Sequence, residues 1–86
     1  ALPILTQHSL IAVWSNENRV YVDFRQLAKT DATIEIYNAL GQQLVNERYG
    51  RNTIYTKQLD IAEAAYIMIR VKNGELVTSK KLFLSK

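Results

Sequence analysis

The stretch 65–86, AYIMIRVKNGELVTSKKLFLSK, constrains the fold more than any other part of the chain. Two alternating, largely apolar runs meet at Asn73-Gly74, residues that accept the positive φ a two-residue type I′ turn needs at both central positions. The runs must therefore lie side by side as an antiparallel hairpin. In the first run Ile67, Ile69 and Val71 share one face, and Tyr66, Met68 and Arg70 share the other. Apolar residues on both faces predict a central strand. A turn at 73–74 pairs Lys72 with Glu75, Val71 with Leu76 and Ile69 with Thr78, which carries Lys80 to a place opposite Ile67 on the buried face. A charge there is costly, so the pattern predicts a bulge or a break near Ser79. Beyond it Leu82 and Leu84 return to the core and Phe83 faces the other way.

Upstream, the same period of two recurs in short runs. Leu10 to Trp14 is apolar and is followed by the turn formers Ser15-Asn16-Glu17-Asn18. Arg19 to Phe24 places Val20, Val22 and Phe24 on one face and Arg19, Tyr21 and Asp23 on the other, the pattern of a strand with one wet face. Thr33 to Tyr37 repeats it with Ile34 and Ile36 inward and Glu35 outward. Asn38-Ala39-Leu40-Gly41 then turns the chain into Gln43 to Arg48, antiparallel to its predecessor because so short a link cannot make a parallel crossover. Tyr49 to Asn52 is the next turn, and Thr53 to Gln58, rich in β-branched residues, is the next strand. Leu59 to Ala64 is too short for a stable helix and reads as a compact loop whose Leu59 and Ile61 plug one end of the core. Seven short strands separated by turn signals predict an all-β fold, a seven-stranded antiparallel immunoglobulin-like β-sandwich ending in the C-terminal hairpin, with a small closed barrel as the alternative.

A chain of 86 residues has material for one core. Residues 1–9, with the only proline, read as a leader or linker, and 10–86 as a single domain. Residue 1 is Ala and no secretory n-region and h-region pattern follows, so the chain reads as a processed product or a domain of a longer protein. There is no cysteine to form a disulfide or serve as nucleophile. The formal charge of +3 is unevenly placed: 1–64 holds six basic and seven acidic residues, whereas 65–86 holds Arg70, Lys72, Lys80, Lys81 and Lys86 against Glu75 alone. Such a surplus is either a solvated face or a docking surface for an acidic partner.

Catalytic chemistry is missing at the level of residue types. His8 is the sole histidine, with Gln7 and Ser9 beside it, and it has no companions for a metal site or a triad. Asp23 and Glu35 point from strand faces to solvent, where a glycosidase would need them to flank a cleft. Gly41, Gly50 and Gly74 each sit in a turn, and none belongs to a phosphate-binding loop. Trp14, Tyr21, Tyr37, Tyr49, Tyr55 and Tyr66 are explained by packing within and between strands better than by a stacking platform for sugar or nucleic acid. The residues predict no enzyme, no cofactor, no metal and no nucleic-acid partner.

The order of signals is more telling than any one of them: a strand, then IYNALGQQLV, LDIAEA, AAYIMIRVKNGE, and finally SKKLFLSK. It resembles the type A C-terminal sorting domain carried by cargo of the type IX secretion system, at Ile36, Tyr37, Gly41, Val45, Leu59, Tyr66, Ile67, Val71, Gly74, Lys80, Lys81 and Lys86. The resemblance runs from Arg19 to Lys86 and departs from the family pattern at Ser15-Asn16-Glu17, where a Pro-Asn-Pro-like segment is usual, and at Ala64, where Gly is usual. It implies a folded, non-catalytic secretion signal that directs an N-terminally attached cargo from the periplasm through an outer-membrane translocon to the cell surface or the medium. Removal by a cell-surface sortase near 1–9 and attachment of the cargo to anionic lipopolysaccharide are further implications. The candidate translocon-recognition residues are Tyr66, Arg70, Lys72, Asn73, Gly74, Lys80, Lys81, Leu82, Leu84 and Lys86, in a hairpin whose unpaired edge also admits a weak homodimer. The competing expectation is a generic immunoglobulin-like or fibronectin-like accessory module binding carbohydrate or protein.

Overall fold

A computed structural model describes residues 11–86, so the linker expected at 1–9, with His8 in it, and Leu10 lie outside the described residues. Seven strands follow in order: β1 (Ala12–Asn16), β2 (Arg19–Asp23), β3 (Ala32–Asn38), β4 (Gln43–Tyr49), β5 (Ile54–Gln58), β6 (Ala65–Asn73) and β7 (Leu76–Leu84). They build a three-stranded sheet, β1-β2-β5, and a four-stranded sheet, β4-β3-β6-β7. The pairings are all antiparallel. This is the immunoglobulin-like sandwich, with the first, second and fifth strands in one sheet and the third, sixth and seventh in the other. The fourth strand stays with the third because the link after Asn38 is a tight turn, in which the Asn38 side chain accepts from the backbone N–H groups of Leu40 and Gln42.

The inward-facing residues read from alternation form the core. Val20, Val22, Phe24, Ala32, Ile34, Ile36, Ile69, Val71 and Leu84 are wholly buried, with Ile67, Leu82 and Leu59 nearly so. Phe24 stacks on Tyr49 at 5.5 Å, and Tyr49 meets Tyr55 edge-on at 5.3 Å. Leu59 plugs the core and Ile61 packs against it from the 59–64 loop.

The hairpin differs from expectation in one respect with wide effect. Its turn residues are Gly74 and Glu75, and Asn73 belongs to β6, opposite Ala32 of β3 and Leu76 of β7. Of Asn73, Gly74 and Glu75, Gly74 alone has a positive φ, of 64°, which fits a type II′ turn rather than type I′. Asn73 is held in the strand because its side chain accepts from the Asp31 N–H at 2.8 Å and reaches the Lys29 carbonyl at 3.5 Å, tying down the β2–β3 connection. Moving the turn by one residue moves every pairing by two, to Lys72 with Val77, Val71 with Thr78 and Ile69 with Lys80. A shift of two preserves the faces.

The expected bulge near Ser79 is absent, and β6 and β7 pair without interruption. Lys80 keeps its inward position because β7 is an edge strand: its side chain remains exposed at the open side of the sandwich and donates to the Val13 carbonyl at 2.7 Å. The irregularity lies between β3 and β4, where Ile36 pairs with Val45 and Tyr37 with Gln43, leaving Leu44 unpaired. β1 also begins and ends two residues later than the expected run, with Glu17-Asn18 as the turn and Glu17 at φ 55°.

Polar contacts link the two sheets on each side of the sandwich. Between β4 and β5, the Tyr55 hydroxyl donates to Glu47 Oε1 at 2.6 Å and Lys57 Nζ lies 3.3 Å from the same oxygen. Between β1 and β7, the Ser15 hydroxyl donates to the Phe83 carbonyl at 2.9 Å and the Ser85 N–H to the Glu17 carbonyl at 3.0 Å.

Candidate functional site

The outward face of the four-stranded sheet carries the features that the core does not explain. Cross-strand register arranges it in rows. Nearest the Gly74 turn lie Arg48, Thr33, Lys72 and Val77; next come Asn46, Glu35, Arg70 and Ser79; then Tyr37, Met68 and Lys81; and last Tyr66 and Phe83. One end is basic and the other is aromatic.

Four large apolar side chains of this face meet water: Tyr66 is 52% exposed, Met68 43%, Val77 43% and Phe83 51%. β6 is central in its sheet, as expected, but its outer apolar residues are not covered by another layer. Tyr66 and Phe83 pack edge-to-face at 5.0 Å, and Lys81 Nζ stands 4.6 Å from the centre of the Tyr66 ring, where the ring's negative face attracts a cation. A shallow hollow beside them is lined by Asn38, Ala39, Tyr66, Met68 and Lys81. In the basic half Lys72 Nζ lies 3.8 Å from Glu35 Oε1. That oxygen is shielded from solvent and has no hydrogen-bond partner.

The ten residues singled out in the sequence therefore divide by position. Tyr66, Arg70, Lys72 and Lys81 are displayed together on the outer face. Lys80 points the other way, to Val13. Leu82 and Leu84 are core residues on the inner face. Asn73 and Gly74 shape the turn, and Lys86 lies exposed beyond β7. Met68, Val77, Ser79 and Phe83 belong to the same face and were not singled out. Alternation already set Met68 and Phe83 outward, but nothing in the sequence indicates that the face lacks a cover.

The remaining candidates are dispersed by the fold. Asp23 lies on β2 and Glu35 on β3, which face outward from different sheets, so they cannot flank one substrate. Asp23 is held below the usual carboxylate range by hydrogen bonds from the Arg25 side chain at 2.9 and 3.0 Å and from the Arg25 N–H. It clamps the chain leaving β2. Trp14 and Tyr21 stack on each other at 5.3 Å, nearly parallel, which occupies one face of each ring. Tyr49 and Tyr55 pack at the β4–β5 side. Among the described residues no group of three or more His, Cys, Asp or Glu is placed to hold a metal ion.

Known proteins add to this geometry. The crystal structure of a DUF3244 family protein with an immunoglobulin-like β-sandwich fold, from Bacteroides vulgatus, is similar in fold, with a TM-score of 0.66, 14% identity, and coverage of 88% of this chain and 82% of that one. No curated protein matches the chain. The family model for the secretion system C-terminal sorting domain matches residues 16–85. That span begins at the last residue of β1 and takes in every later strand, the outer face and the terminal hairpin. The chain therefore belongs to the secretion system C-terminal sorting domains, the non-catalytic tails of type IX secretion that direct an attached protein across the outer membrane.

Proposed function

We propose that this sorting domain acts as a folded docking tag whose outer β6–β7 face is read by the translocon. The observation that carries this reading is the exposed row system of Tyr66, Met68, Phe83 and Lys81 running into Arg70 and Lys72. Apolar anchors beside cations are what a transient, charge-steered interface needs. Tyr66, Arg70, Lys72 and Lys81 make the contacts; Asn73 and Gly74 hold the turn that presents them; Lys80, Leu82 and Leu84 keep β7 in place; and Lys86 extends the positive field. Residues 1–9 serve as the linker between the cargo and a single domain at 10–86, and a surface sortase cuts there before the cargo joins anionic lipopolysaccharide. The protein is periplasmic in transit and then at the cell surface or secreted.

The test is a periplasmic reporter fused ahead of residues 1–86 in a bacterium that has the secretion system. The reporter is expected at the cell surface or in the medium. Paired Arg70→Glu and Lys81→Glu substitutions are expected to retain it in the periplasm without lowering the unfolding midpoint. A reporter that stays periplasmic with the unaltered tail intact overturns the sorting reading. Export unaffected by the charge reversals overturns the assignment of the face.

A further inference from the structure

We infer that the free edge of β7 between Val77 and Lys81, together with the slot beside it, takes up an acidic extended segment of a partner protein as an added strand. The inference rests on the sorting reading above for where such a partner is met.

The edge follows from the turn. A two-residue turn closes on a pair that exchanges both backbone hydrogen bonds, here Asn73 with Leu76. Alternation then directs the N–H and C=O of Leu76, Thr78, Lys80, Leu82 and Leu84 toward β6, and those of Val77, Ser79, Lys81 and Phe83 away from it. The Phe83 carbonyl confirms the phase, since it accepts from Ser15 on the far side, and the Ser85 N–H is spent on Glu17. Val77, Ser79 and Lys81 have no backbone partner at this edge among the described residues. One end of the edge is sealed and the rest is open.

A second, independent feature lies at the same place. Between β7 and β1 the sheets leave a slot of about 540 Å³ lined by Ile11, Val13, Trp14, Thr78, Ser79 and Lys80. The Thr78 hydroxyl is buried against it with no hydrogen-bond partner, and a buried unpaired hydroxyl is a cost that an incoming donor or acceptor removes. A strand laid along β7 projects alternate side chains to opposite faces. One set joins the outer rows beside Val77 and Lys81, and the other enters the slot beside Thr78 and Lys80.

Charge selects the occupant. Lys80 and Lys81 each lie next to a position on the added strand, and 65–86 has a single acidic residue, Glu75, in the turn. A carboxylate on either face of the incoming strand gains a cross-strand cation, whereas a second β7 brings two more lysines and no carboxylate. The fit is to an acidic β-forming segment with a small hydroxyl or amide side chain at the Thr78 position.

The experiment uses the full chain labelled with ¹⁵N and a blocked ten-residue peptide alternating glutamate with valine and serine, with a glutamine counterpart as control. Binding is expected to slow hydrogen exchange at the amides of Val77, Ser79 and Lys81 above all others, and the glutamine peptide is expected to bind at least tenfold more weakly. Ser79→Pro removes an edge N–H that the β6–β7 ladder does not use, so it is expected to abolish binding while leaving the unfolding midpoint nearly unchanged. Exchange protection in the unaltered chain decides the matter even if that variant fails to fold. Protection elsewhere, equal binding of the glutamine peptide, protection of the same amides by self-association, or protection by anionic phospholipid vesicles but not by the peptide would each overturn the inference. Reporter export with no peptide binding overturns it and leaves the sorting reading standing. Peptide binding at these amides without export does the reverse.

Discussion

Lys80 and Lys81 are adjacent in the chain and have opposite surroundings. Lys80 reaches inward to the Val13 carbonyl, 67 residues away in sequence, and Lys81 lies outward over Tyr66. A charge-assisted hydrogen bond to a backbone carbonyl contributes more than an exposed cation–π contact. Lys80→Ala is therefore expected to lower stability by about 1 kcal/mol, read as a shift of denaturant midpoint at constant slope, and Lys81→Ala by roughly half of that or less. Equal effects would show that the Val13 contact contributes no more than the cation–π contact. Gly74 offers a backbone test. A Cβ there would meet no atom within 4 Å, but φ is +64°. The penalty for Gly74→Val is conformational, about 1–3 kcal/mol, and is expected as a drop in thermal midpoint; an unchanged midpoint would remove the II′ assignment.

Among the elements, the β4–β5 side carries the clearest dependence on pH. The Tyr55 hydroxyl, and after it Lys57, holds the Glu47 carboxyl below its ordinary value of 4.5, against the opposing effect of burial. A depressed carboxyl stabilises the fold above its unfolded value, and that contribution is lost as pH falls through the lower folded value. Tyr55 is shifted the other way: burial first, and then Glu47, raise its phenol above the ordinary 10.0. Its contribution is present below pH 10 and declines as pH rises beyond it. Stability measured by urea unfolding is expected to fall at both extremes. In Tyr55→Phe the alkaline decline is expected to weaken, and the acid decline to shrink because Glu47 returns toward its ordinary value. An acid limb identical in the variant would mean that the hydrogen bond does not hold Glu47. The terminal hairpin shows how far an element can be read from its own residues. Alternation placed Ile67, Ile69, Val71, Leu82 and Leu84 inward and Tyr66, Met68 and Phe83 outward, as they are. The turn was misplaced by one residue because the contact that holds Asn73 in the strand comes from Asp31 and Lys29, on a distant loop.

As a whole molecule, the two sheets share one core, so a cavity in either is felt by both. Val20→Ala in β2 and Leu84→Ala in β7, both wholly buried, are each expected to lower a single unfolding midpoint, the leucine by about 2–5 kcal/mol. Two separate transitions by circular dichroism and tryptophan fluorescence would show that the sheets do not unfold together. The period of two was enough to set strand number, strand faces and the all-β class, because a β-strand's side chains alternate whatever it pairs with. The order of motifs was enough to indicate the sorting family, because it depends on sequence alone. Sheet order was decided by tertiary structure, as were the exact partner of each hairpin residue and the Val13 acceptor that keeps Lys80 inward without a bulge. So too was the exposure of the Tyr66–Phe83 face and of the β7 edge. A residue's own pattern states which way it points, and only the packing of distant strands states what, if anything, stands there to meet it.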